Sequence, residues 1–271
     1  MGIFDGVLLA SDYDGTLRGS TLEVLPRDRE AIDFFQREGG KFILTTGRCY
    51  AAFYQQAREL PLRSPTLLSN GATFCEMETG KTLFNHNLPD RAPRDLAQVG
   101  EQFPDVAMET YYGEEVYCFH PNRYTDWHMS LVKTSYIEAA LEDMPTPWLK
   151  VLFEGEHERL AQVRELILSC WGDCYECIFS NENLLELTGK NVHKGFGVLE
   201  AAKYFGISPE HVYCVGDNDN DLPMLRVAKV GFVPEGSVAA GRDEKLQLVR
   251  DADHGCVENV IRLLEWRYTH R

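Results

Sequence analysis

An apolar run that ends abruptly in two carboxylates and a glycine limits the fold of this chain more than any other stretch. Residues 7–11 read Val-Leu-Leu-Ala-Ser, and they are followed at once by Asp12, Tyr13, Asp14 and Gly15. Such a run is typical of a buried strand in a parallel sheet, where ligands bind outside the carboxyl ends of the strands. The pattern therefore predicts an α/β fold with Asp12 and Asp14 at a crevice.

Two interpretations of Asp12 and Asp14 fit this stretch alone. Aspartate and glycine are common in loops after strands for backbone reasons, so both carboxylates could belong to an ordinary turn. Two neighbouring carboxylates are costly to bury without a cation, so the other interpretation is a site for a divalent metal ion. A phosphate clamp, a cation and further carboxylates at other strand ends would favour the metal site.

Composition excludes several classes of protein. The chain has 271 residues, of which 44% are hydrophobic and 25% charged, as in a globular protein of one large or two modest domains. Its formal charge of −15 argues against a nucleic-acid or anionic-membrane surface, because phosphate groups would be repelled. No apolar run resembles a membrane span or a signal peptide. We expect a cytoplasmic protein, either a monomer or a weak homodimer.

Most of the eight cysteines lie inside apolar runs, which is typical of buried free thiols. Cys170, Cys174 and Cys177 are the exception, because three thiols so close together could hold zinc. No fourth ligand follows at zinc-finger spacing, and the alternating pattern of residues 174–179 indicates a strand. We favour the strand.

A second apolar strand, residues 41–45, leads into Thr46, Gly47 and Arg48 before a predicted helix over residues 50–60. A hydroxyl group and backbone N–H groups at a helix start can hold a phosphate group. Capping of the helix by Thr46 is the alternative. For Arg48, contact with a substrate and pairing with an acidic neighbour are equally open.

Two further signals lie near the C-terminal end. Lys194 begins a predicted helix, where a lysine opposes the helix dipole, so a functional role competes with that of an exposed helix-start residue. A strand over residues 211–215 then ends in a glycine and an acidic loop with Asp217, Asp219 and Asp221. Three aspartates in so short a loop are unfavourable for a purely structural turn.

Hydrophobic periodicity predicts the remaining elements. Helices are predicted over residues 26–38, 91–103, 156–171, 194–205 and 257–267. Strands are predicted over residues 65–69, 73–77, 81–84, 106–112, 115–120, 148–154, 174–180, 184–188 and 229–233. From about residue 85 the strand–helix alternation gives way to mixed α+β content, which predicts an inserted domain over 85–189 and a discontinuous α/β domain over 1–84 and 190–271.

Four signals stand in order along the chain: Asp12-Tyr13-Asp14-Gly15-Thr16, Thr46-Gly47-Arg48, Lys194 and Gly216-Asp217-Asn218-Asp219-Asn220-Asp221. Together they resemble the motifs of the haloacid dehalogenase superfamily of phosphohydrolases, over the whole chain. The inserted segment resembles the cap of the Cof-type, class IIB branch. The resemblance implies a Rossmann-like parallel-sheet core with an inserted α+β cap of the C2B type.

The same resemblance implies a Mg²⁺-dependent phosphomonoester hydrolase that acts through an aspartyl-phosphate. Its substrate would be a small soluble metabolite, such as a sugar phosphate or a nucleotide or cofactor phosphate. Asp12 would be the nucleophile, and Asp14 the general acid and base. Mg²⁺ would be held by Asp12, the backbone carbonyl of Asp14 and Asp217.

The resemblance also implies a clamp for the phosphoryl group. Thr46 and the N–H of Gly47 would hold phosphoryl oxygens, and Lys194 would neutralise their charge. Asn220 and Asp221 would support the metal site.

Arg48 and Asn70 are candidate substrate contacts, since Asn70-Gly71 resembles the segment of this branch where a turn meets the cap. The chain departs from the family after the acidic loop, where it reads Val230-Gly231-Phe232-Val233-Pro234-Glu235-Gly236. That departure puts in doubt any phosphate or cap contact made by this loop.

Two other functions compete with hydrolysis. A phosphomutase of the same superfamily would exclude water and return the phosphoryl group to a second hydroxyl. A non-catalytic module that binds a metal or a phospho-ligand would have no need of both Asp12 and Asp14, which argues against it.

Overall fold

The computed structural model describes residues 2–112 and 115–270, and these form two compact units. The first unit contains the chain up to Gly47, Gln55–Leu83 and the chain from His193 onward. The second unit contains Arg48–Tyr54 and Phe84–Val192. The sequence patterns did not indicate that residues 48–54 belong with the second unit. The domain limits at residues 84/85 and 189/190 stay a prediction.

The helices are α1 (Pro26–Arg37), α2 (Tyr50–Ala57), α3 (Ala92–Gln102), α4 (Arg123–Val132), α5 (His157–Trp171), α6 (Lys194–Phe205), α7 (Leu222–Val227) and α8 (Cys256–Thr269). The strands are β1 (Leu8–Asp12), β2 (Lys41–Thr45), β3 (Thr66–Leu68), β4 (Thr73–Cys75), β5 (Thr82–Asn85), β6 (Ala107–Tyr112), β7 (Glu115–Phe119), β8 (Ile137–Glu138), β9 (Val151–Glu154), β10 (Tyr175–Asn181), β11 (Leu184–Gly189), β12 (Val212–Val215), β13 (Val230–Pro234) and β14 (Gln247–Val249). Across residues 2–112 and 115–270, none of the helices has both the length and the apolar character needed to cross a membrane.

An eight-stranded sheet of order β14-β13-β12-β1-β2-β3-β4-β5 organises the first unit. Its strands from β14 to β3 run parallel, and β1 at their centre is buried along its whole length. Helices α1 and α8 pack against each other, as do α6 and α7. The predicted α/β architecture is confirmed, and β1 is the buried strand that the opening apolar run indicated.

Hydrophobic periodicity predicts β5 at one end of this sheet but not β14 at the other end. The predicted edge hairpin is present, because the N–H of Glu76 donates to the carbonyl of Lys81 at 2.9 Å between β4 and β5. Strand β14 was not predicted. It has three residues, only Val249 is buried, and so it carries no periodic signal.

A six-stranded sheet of order β10-β11-β9-β6-β7-β8 organises the second unit. Its pairs are antiparallel except for β7 with β8. A core that includes Val99, Phe153 and Leu160 joins this sheet to α3 and α5. Cys177 is buried in this core, whereas Cys174 is half-buried and Cys170 is exposed, so the strand predicted for this segment is confirmed.

Helix α4 corrects the sequence analysis, which left residues 121–127 without regular structure. Asn122 caps the helix, since its side chain accepts from the N–H of Tyr124 at 2.8 Å and Thr125 completes a capping box. The buried residues Thr125, His128, Met129 and Val132 then recur at helical spacing. The signal was present, but the aromatic and polar residues between these positions obscured it.

Candidate active site

Most of the predicted site residues lie at or just after the carboxyl ends of parallel strands in the first unit, whereas Lys194 begins helix α6 and Arg48 belongs to the second unit. Asp12 is the last residue of β1 and pairs in register with Thr45 at the end of β2. Thr46 follows β2, Asn70 lies two residues beyond β3, and Asp217 lies two residues beyond β12. Because neighbouring parallel strands end at one edge of the sheet, the fold brings these side chains to a common crevice.

A buried lysine joins two carboxylates at the centre of the site. The ammonium Nζ of Lys194 donates to Oδ1 of Asp12 at 2.5 Å and to Oδ1 of Asp221 at 2.6 Å. All three residues are at most 5% exposed. Lys194 is the first residue of α6, where the Nδ1 of His193 accepts from the N–H of Phe196 and caps the helix. The exposed alternative for Lys194 is therefore wrong.

The acidic loop is folded around the carboxylate of Asp221. One oxygen of Asp221 accepts from Lys194, and the other accepts from the backbone N–H groups of Asp217 and Asn218, each at 3.0 Å. Charge-assisted hydrogen bonds of this kind fix a loop strongly. Asp221 thus links α6 to the segment that carries Asp217.

Carboxylate oxygens of Asp12, Asp217 and Asp221 all lie within 4.8 Å of one another. An all-oxygen donor set of this kind suits a hard divalent cation such as Mg²⁺. Asp12 and Asp217 were predicted as side-chain ligands, whereas Asp221 was predicted only to support the site. In the structure, a carboxylate oxygen of Asp221 belongs to the cluster in the same way as those of Asp12 and Asp217.

Electrostatics at this cluster favour a further cation. Burial raises the pKa of Asp12 well above its usual value, and the carboxylates of Asp221 and Asp217 raise it further against the opposing effect of Lys194. Burial and Asp221 raise the pKa of Asp217 to about 6. Burial opposes the charge of Lys194, but Asp12 and Asp221 together hold its pKa above the usual range. Three carboxylates thus face one ammonium, and a divalent ion would balance the excess negative charge.

Gly15 and Thr16 bring the opening motif into contact with the acidic loop. The hydroxyl of Thr16 donates to Oδ1 of Asp217 at 2.8 Å. Gly15 has φ +91°, and a Cβ atom there would lie 2.4 Å from Oδ2 of Asp217. Thr16 was not predicted to have a role, although a hydroxyl in the same motif as two aspartates was the available signal.

Asp14 lies at the wall of a cavity that Asp217 also lines. The cavity has a volume of about 410 Å³, and its lining includes Asp14, Gly15, Arg18 and Asp217. The carboxylate of Asp14 pairs with the guanidinium of Arg18, which also lies over the ring of Tyr13 at 5.1 Å. The contact of Arg18 with Asp14 was not predicted, because four residues of separation outside a helix do not predict a contact.

Thr46 and Asn70 are connected through the backbone. Thr46 is buried, its N–H donates to the carbonyl of Leu67 at 2.9 Å, and its carbonyl accepts from the N–H of Asn70 at 3.0 Å. Helix α2 begins at Tyr50, so Thr46 lies outside the capping position that was its alternative role. Gly47 follows Thr46 at the end of this segment of the first unit.

Asn70 and Asn220 support each other, whereas Arg48 belongs to the second unit. The side-chain oxygen of Asn70 accepts from Nδ2 of Asn220 at 3.3 Å, which ties the turn after β3 to the acidic loop. Arg48 donates from Nη1 to the carbonyl of Ala52 at 3.4 Å within the second unit. Its role as a substrate contact stays a prediction.

The segment that departs from the family pattern forms a strand and its turn. Val230–Pro234 is β13, between β12 and β14, and the N–H of Ser237 then donates to the carbonyl of Pro234 at 3.3 Å. Beyond this turn, the N–H of Ala239 donates to the carbonyl of Asp217 at 2.8 Å. The segment therefore supports the acidic loop through the backbone.

Comparison with known proteins places this chain in one class, the hydrolases. Residues 9–235 match the family model described as haloacid dehalogenase-like hydrolase. This match covers more than half of the chain, and the chain belongs to the haloacid dehalogenase-like hydrolases.

Relatives and solved structures agree with this assignment. YxeH of Bacillus subtilis (strain 168) is 26% identical over 273 residues, with 95% of this chain and 98% of that protein covered. The 5-amino-6-(5-phospho-D-ribitylamino)uracil phosphatase YitU of the same organism is 22% identical over 245 residues, with 86% and 88% covered. The structure of the HAD subclass IIB sugar phosphatase BT4131 has a TM-score of 0.82 at 19% identity, with 95% and 98% covered. The expected class, an enzyme of this superfamily with phosphatase relatives and an inserted α+β cap, is confirmed.

The raised pKa of Asp217 predicts how its replacement changes stability in the presence of a chelator. The folded carboxyl binds its proton more tightly than the unfolded one, so the free energy of unfolding falls as pH rises from the ordinary value of 3.8 to about 6. Asp217→Asn removes this loss and should be more stable than the parent at pH 7, by on the order of 3 kcal/mol. Denaturant unfolding at a series of pH values measures the difference.

Asp219→Asn is the matched control, because Asp219 lies in the same loop and pairs with Arg242 near the surface. Because the side chain of Asp219 is 42% exposed, its replacement should change the free energy of unfolding at pH 7 much less than Asp217→Asn does. Parallel profiles for Asp217→Asn and the parent would contradict the electrostatic account of the site.

Proposed function

We propose that this protein is a Mg²⁺-dependent phosphomonoester hydrolase that acts on small phosphorylated metabolites through an aspartyl-phosphate. One observation carries the proposal. The carboxylate of Asp12 lies at a buried strand end, where Lys194 holds it and the carboxylates of Asp217 and Asp221 lie within 4.8 Å. A buried carboxylate beside fixed positive charge is suited to attack an anionic phosphoryl group, because that charge offsets the repulsion between the two anions.

Asp12 and Asp14 divide the covalent chemistry. A carboxylate oxygen of Asp12 forms a bond to phosphorus while the bond from phosphorus to the substrate oxygen breaks, and Asp14 gives its proton to that oxygen. In the second step Asp14 takes a proton from water, which attacks phosphorus and releases Asp12. The contact of Asp14 with Arg18 orients the carboxylate at the cavity wall.

Lys194, Thr46 and Gly47 hold the phosphoryl group in this proposal. The ammonium of Lys194 already faces Asp12, so it lies where charge on the equatorial oxygens would be greatest. The hydroxyl of Thr46 and the N–H of Gly47 follow the neighbouring strand β2 and would donate hydrogen bonds to the same oxygens.

The metal site consists of Asp12, Asp217 and the backbone carbonyl of Asp14, with Asp221 and Asn220 beside it. Its oxygen donors and excess negative charge fit Mg²⁺. When bound, the ion supplies positive charge that stabilises the phosphoryl oxygens.

We infer that the inserted residues 85–189 form a cap that excludes water and contacts the leaving group. Named relatives of this chain act on a phosphoribitylamino-uracil and on sugar phosphates, which supports a small phosphorylated metabolite as substrate. The cytoplasmic location and a monomeric or weakly dimeric state remain predictions, as does the contribution of Arg48 and Asn70 to substrate binding.

A phosphomutase is the second candidate, since it would use the same Asp12 and Asp14. The two functions differ in the fate of the phosphoryl group. Release of inorganic phosphate in proportion to substrate consumed supports hydrolysis, whereas an isomeric phosphate ester without release supports the mutase. A binding module would show neither.

Replacement of the nucleophile tests the proposal most simply. Asp12→Asn should lower kcat by on the order of 10⁴-fold or more, because the amide does not attack phosphorus. The side chain stays nearly isosteric and can still accept from Lys194, so the fold should persist by circular dichroism. Phosphate release from a panel of phosphate monoesters is the measurement, with Asp219→Asn as the control that should retain turnover. Equal turnover in Asp12→Asn and the parent would refute the mechanism.

Removal of divalent metal should abolish phosphate release. Without a metal ion, the charge of three carboxylates would exceed that of the ammonium of Lys194 and would repel an anionic substrate, so chelated protein should bind and turn over phosphate monoesters poorly. Addition of Mg²⁺ in excess of the chelator should restore the rate. Full activity in metal-free buffer, verified by elemental analysis, would contradict the assignment of the cluster as a metal site.

A further inference from the structure

A second cluster of ionisable side chains lies inside the second unit and takes no part in the proposed function. Glu109 comes from β6, Glu154 from the neighbouring strand β9, and His128 from α4. Both glutamates are fully buried, and His128 is 9% exposed. Groups that are costly to bury are therefore held together by three separate elements of one unit.

The potential ligand atoms of these residues converge. The imidazole Nδ1 of His128 lies 2.9 Å from Oε2 of Glu109 and 3.1 Å from Oε1 of Glu154. All three atoms lie within 4.8 Å of one another. Ligand atoms that share a Zn²⁺ ion at 2.0–2.2 Å are separated by roughly 3–3.5 Å, so this spacing also suits a shared metal ion.

A proton alone leaves this cluster incompletely satisfied. Nδ1 carries at most one proton, and it lies 2.9 Å from Oε2 of Glu109 and 3.1 Å from Oε1 of Glu154, so one proton does not satisfy both carboxylates. Among the described residues, no well-aligned hydrogen-bond donor reaches either oxygen of Glu154. Glu154 is 0% exposed, so water does not solvate these oxygens from the surface. A buried carboxylate without donors is strongly unfavourable unless a cation lies against it.

The electrostatics of the cluster also favour a bound cation. Burial raises the pKa of Glu109 to about 7, and the two glutamates, against the effect of burial, raise the pKa of His128 to about 9. The carboxylates thus attract positive charge to Nδ1.

The surroundings fix the cluster in place. The hydroxyl of Tyr111 donates to Oε1 of Glu109, the oxygen that faces away from His128. The amide of Asn122, which caps α4, donates from Nδ2 to the backbone carbonyl of Glu154 at 3.0 Å. Hydrogen bonds to ligand side chains and a rigid attachment of their elements are characteristic of metal sites.

We propose that Glu109, His128 and Glu154 form a binding site for a divalent transition-metal ion, of the Zn²⁺ type, within the second unit. The mixed imidazole and carboxylate donors suit such an ion better than Mg²⁺, which prefers oxygen ligands alone. The ion replaces the proton on Nδ1, which passes to solvent, and it satisfies both carboxylates at once. The site is separate from the Asp12, Asp217 and Asp221 cluster in residues, donor set and unit.

A metal ion here has a structural consequence. It joins α4 to strands β6 and β9, and it replaces the unsatisfied contacts of Glu154 with ligand bonds. The second unit is therefore expected to gain thermal stability when Zn²⁺ is added to metal-free protein.

Metal content distinguishes an ion from a proton in this site. The full-length protein is stripped with chelator, loaded with Zn²⁺ in the presence of excess Mg²⁺, freed of unbound metal by gel filtration and analysed for zinc. The parent should retain one more equivalent of zinc per chain than Glu154→Gln. Glu101→Gln, on the exposed side of α3 in the same unit, should retain as much as the parent. Equal zinc content in the parent and Glu154→Gln would overturn the proposal.

Anomalous scattering from crystals of the unaltered protein decides the matter independently of any variant. Data collected on the two sides of the zinc edge after Zn²⁺ loading should show a peak between Nδ1 of His128 and the carboxylates of Glu109 and Glu154. If no peak appears at this position, the cluster holds a proton and not a metal ion, and the proposal is wrong. This readout holds even if Glu154→Gln fails to fold, and it is unaffected by the outcome for the proposed phosphatase.

Discussion

The ammonium of Lys194, held between the carboxylates of Asp12 and Asp221, is the interaction on which the candidate active site depends. Its hydrogen bonds of 2.5 and 2.6 Å connect β1, α6 and the acidic loop, which are distant in sequence. Removal of this one cation would leave buried carboxylates facing each other, at a cost of several kcal/mol. In the proposed mechanism, the same charge also prepares Asp12 to attack a phosphoryl group.

The parallel sheet explains why such a costly arrangement can persist. Strands β12, β1, β2 and β3 are buried and paired in register, so the positions at their carboxyl ends are fixed by the hydrophobic core. The polar side chains stand outside that core and are positioned by it without interrupting it. Asp221 fixes the acidic loop by accepting hydrogen bonds from two backbone N–H groups. Thr16, from the segment after β1, donates a hydrogen bond to Asp217.

Much of the fold and of the candidate site could be predicted from the sequence, because strand ends and glycine turns have recognisable local sequence patterns. The positions of Asp12, Thr46 and Asp217 at strand ends were predicted in this way, and so were most helices and strands. Contacts set by tertiary structure could not be found: nothing in the sequence pairs Arg18 with Asp14, or gives Asp221 two roles. Helix α4 depends on a capping box, and the cluster of Glu109, His128 and Glu154 depends on the pairing of β6 with β9. The hydrophobic periodicity of a single element predicts neither feature.

The most direct test of the central claim is to locate the phosphoryl group during turnover. An aryl phosphate has a leaving group that needs no proton, so Asp14→Asn should still be phosphorylated by it but should be slow to activate water. Acid quenching followed by peptide mass spectrometry should then find the phosphoryl group on Asp12. A phosphoryl group on another residue, or turnover of the parent without any phosphorylated Asp12 in the quenched variant, would contradict the account.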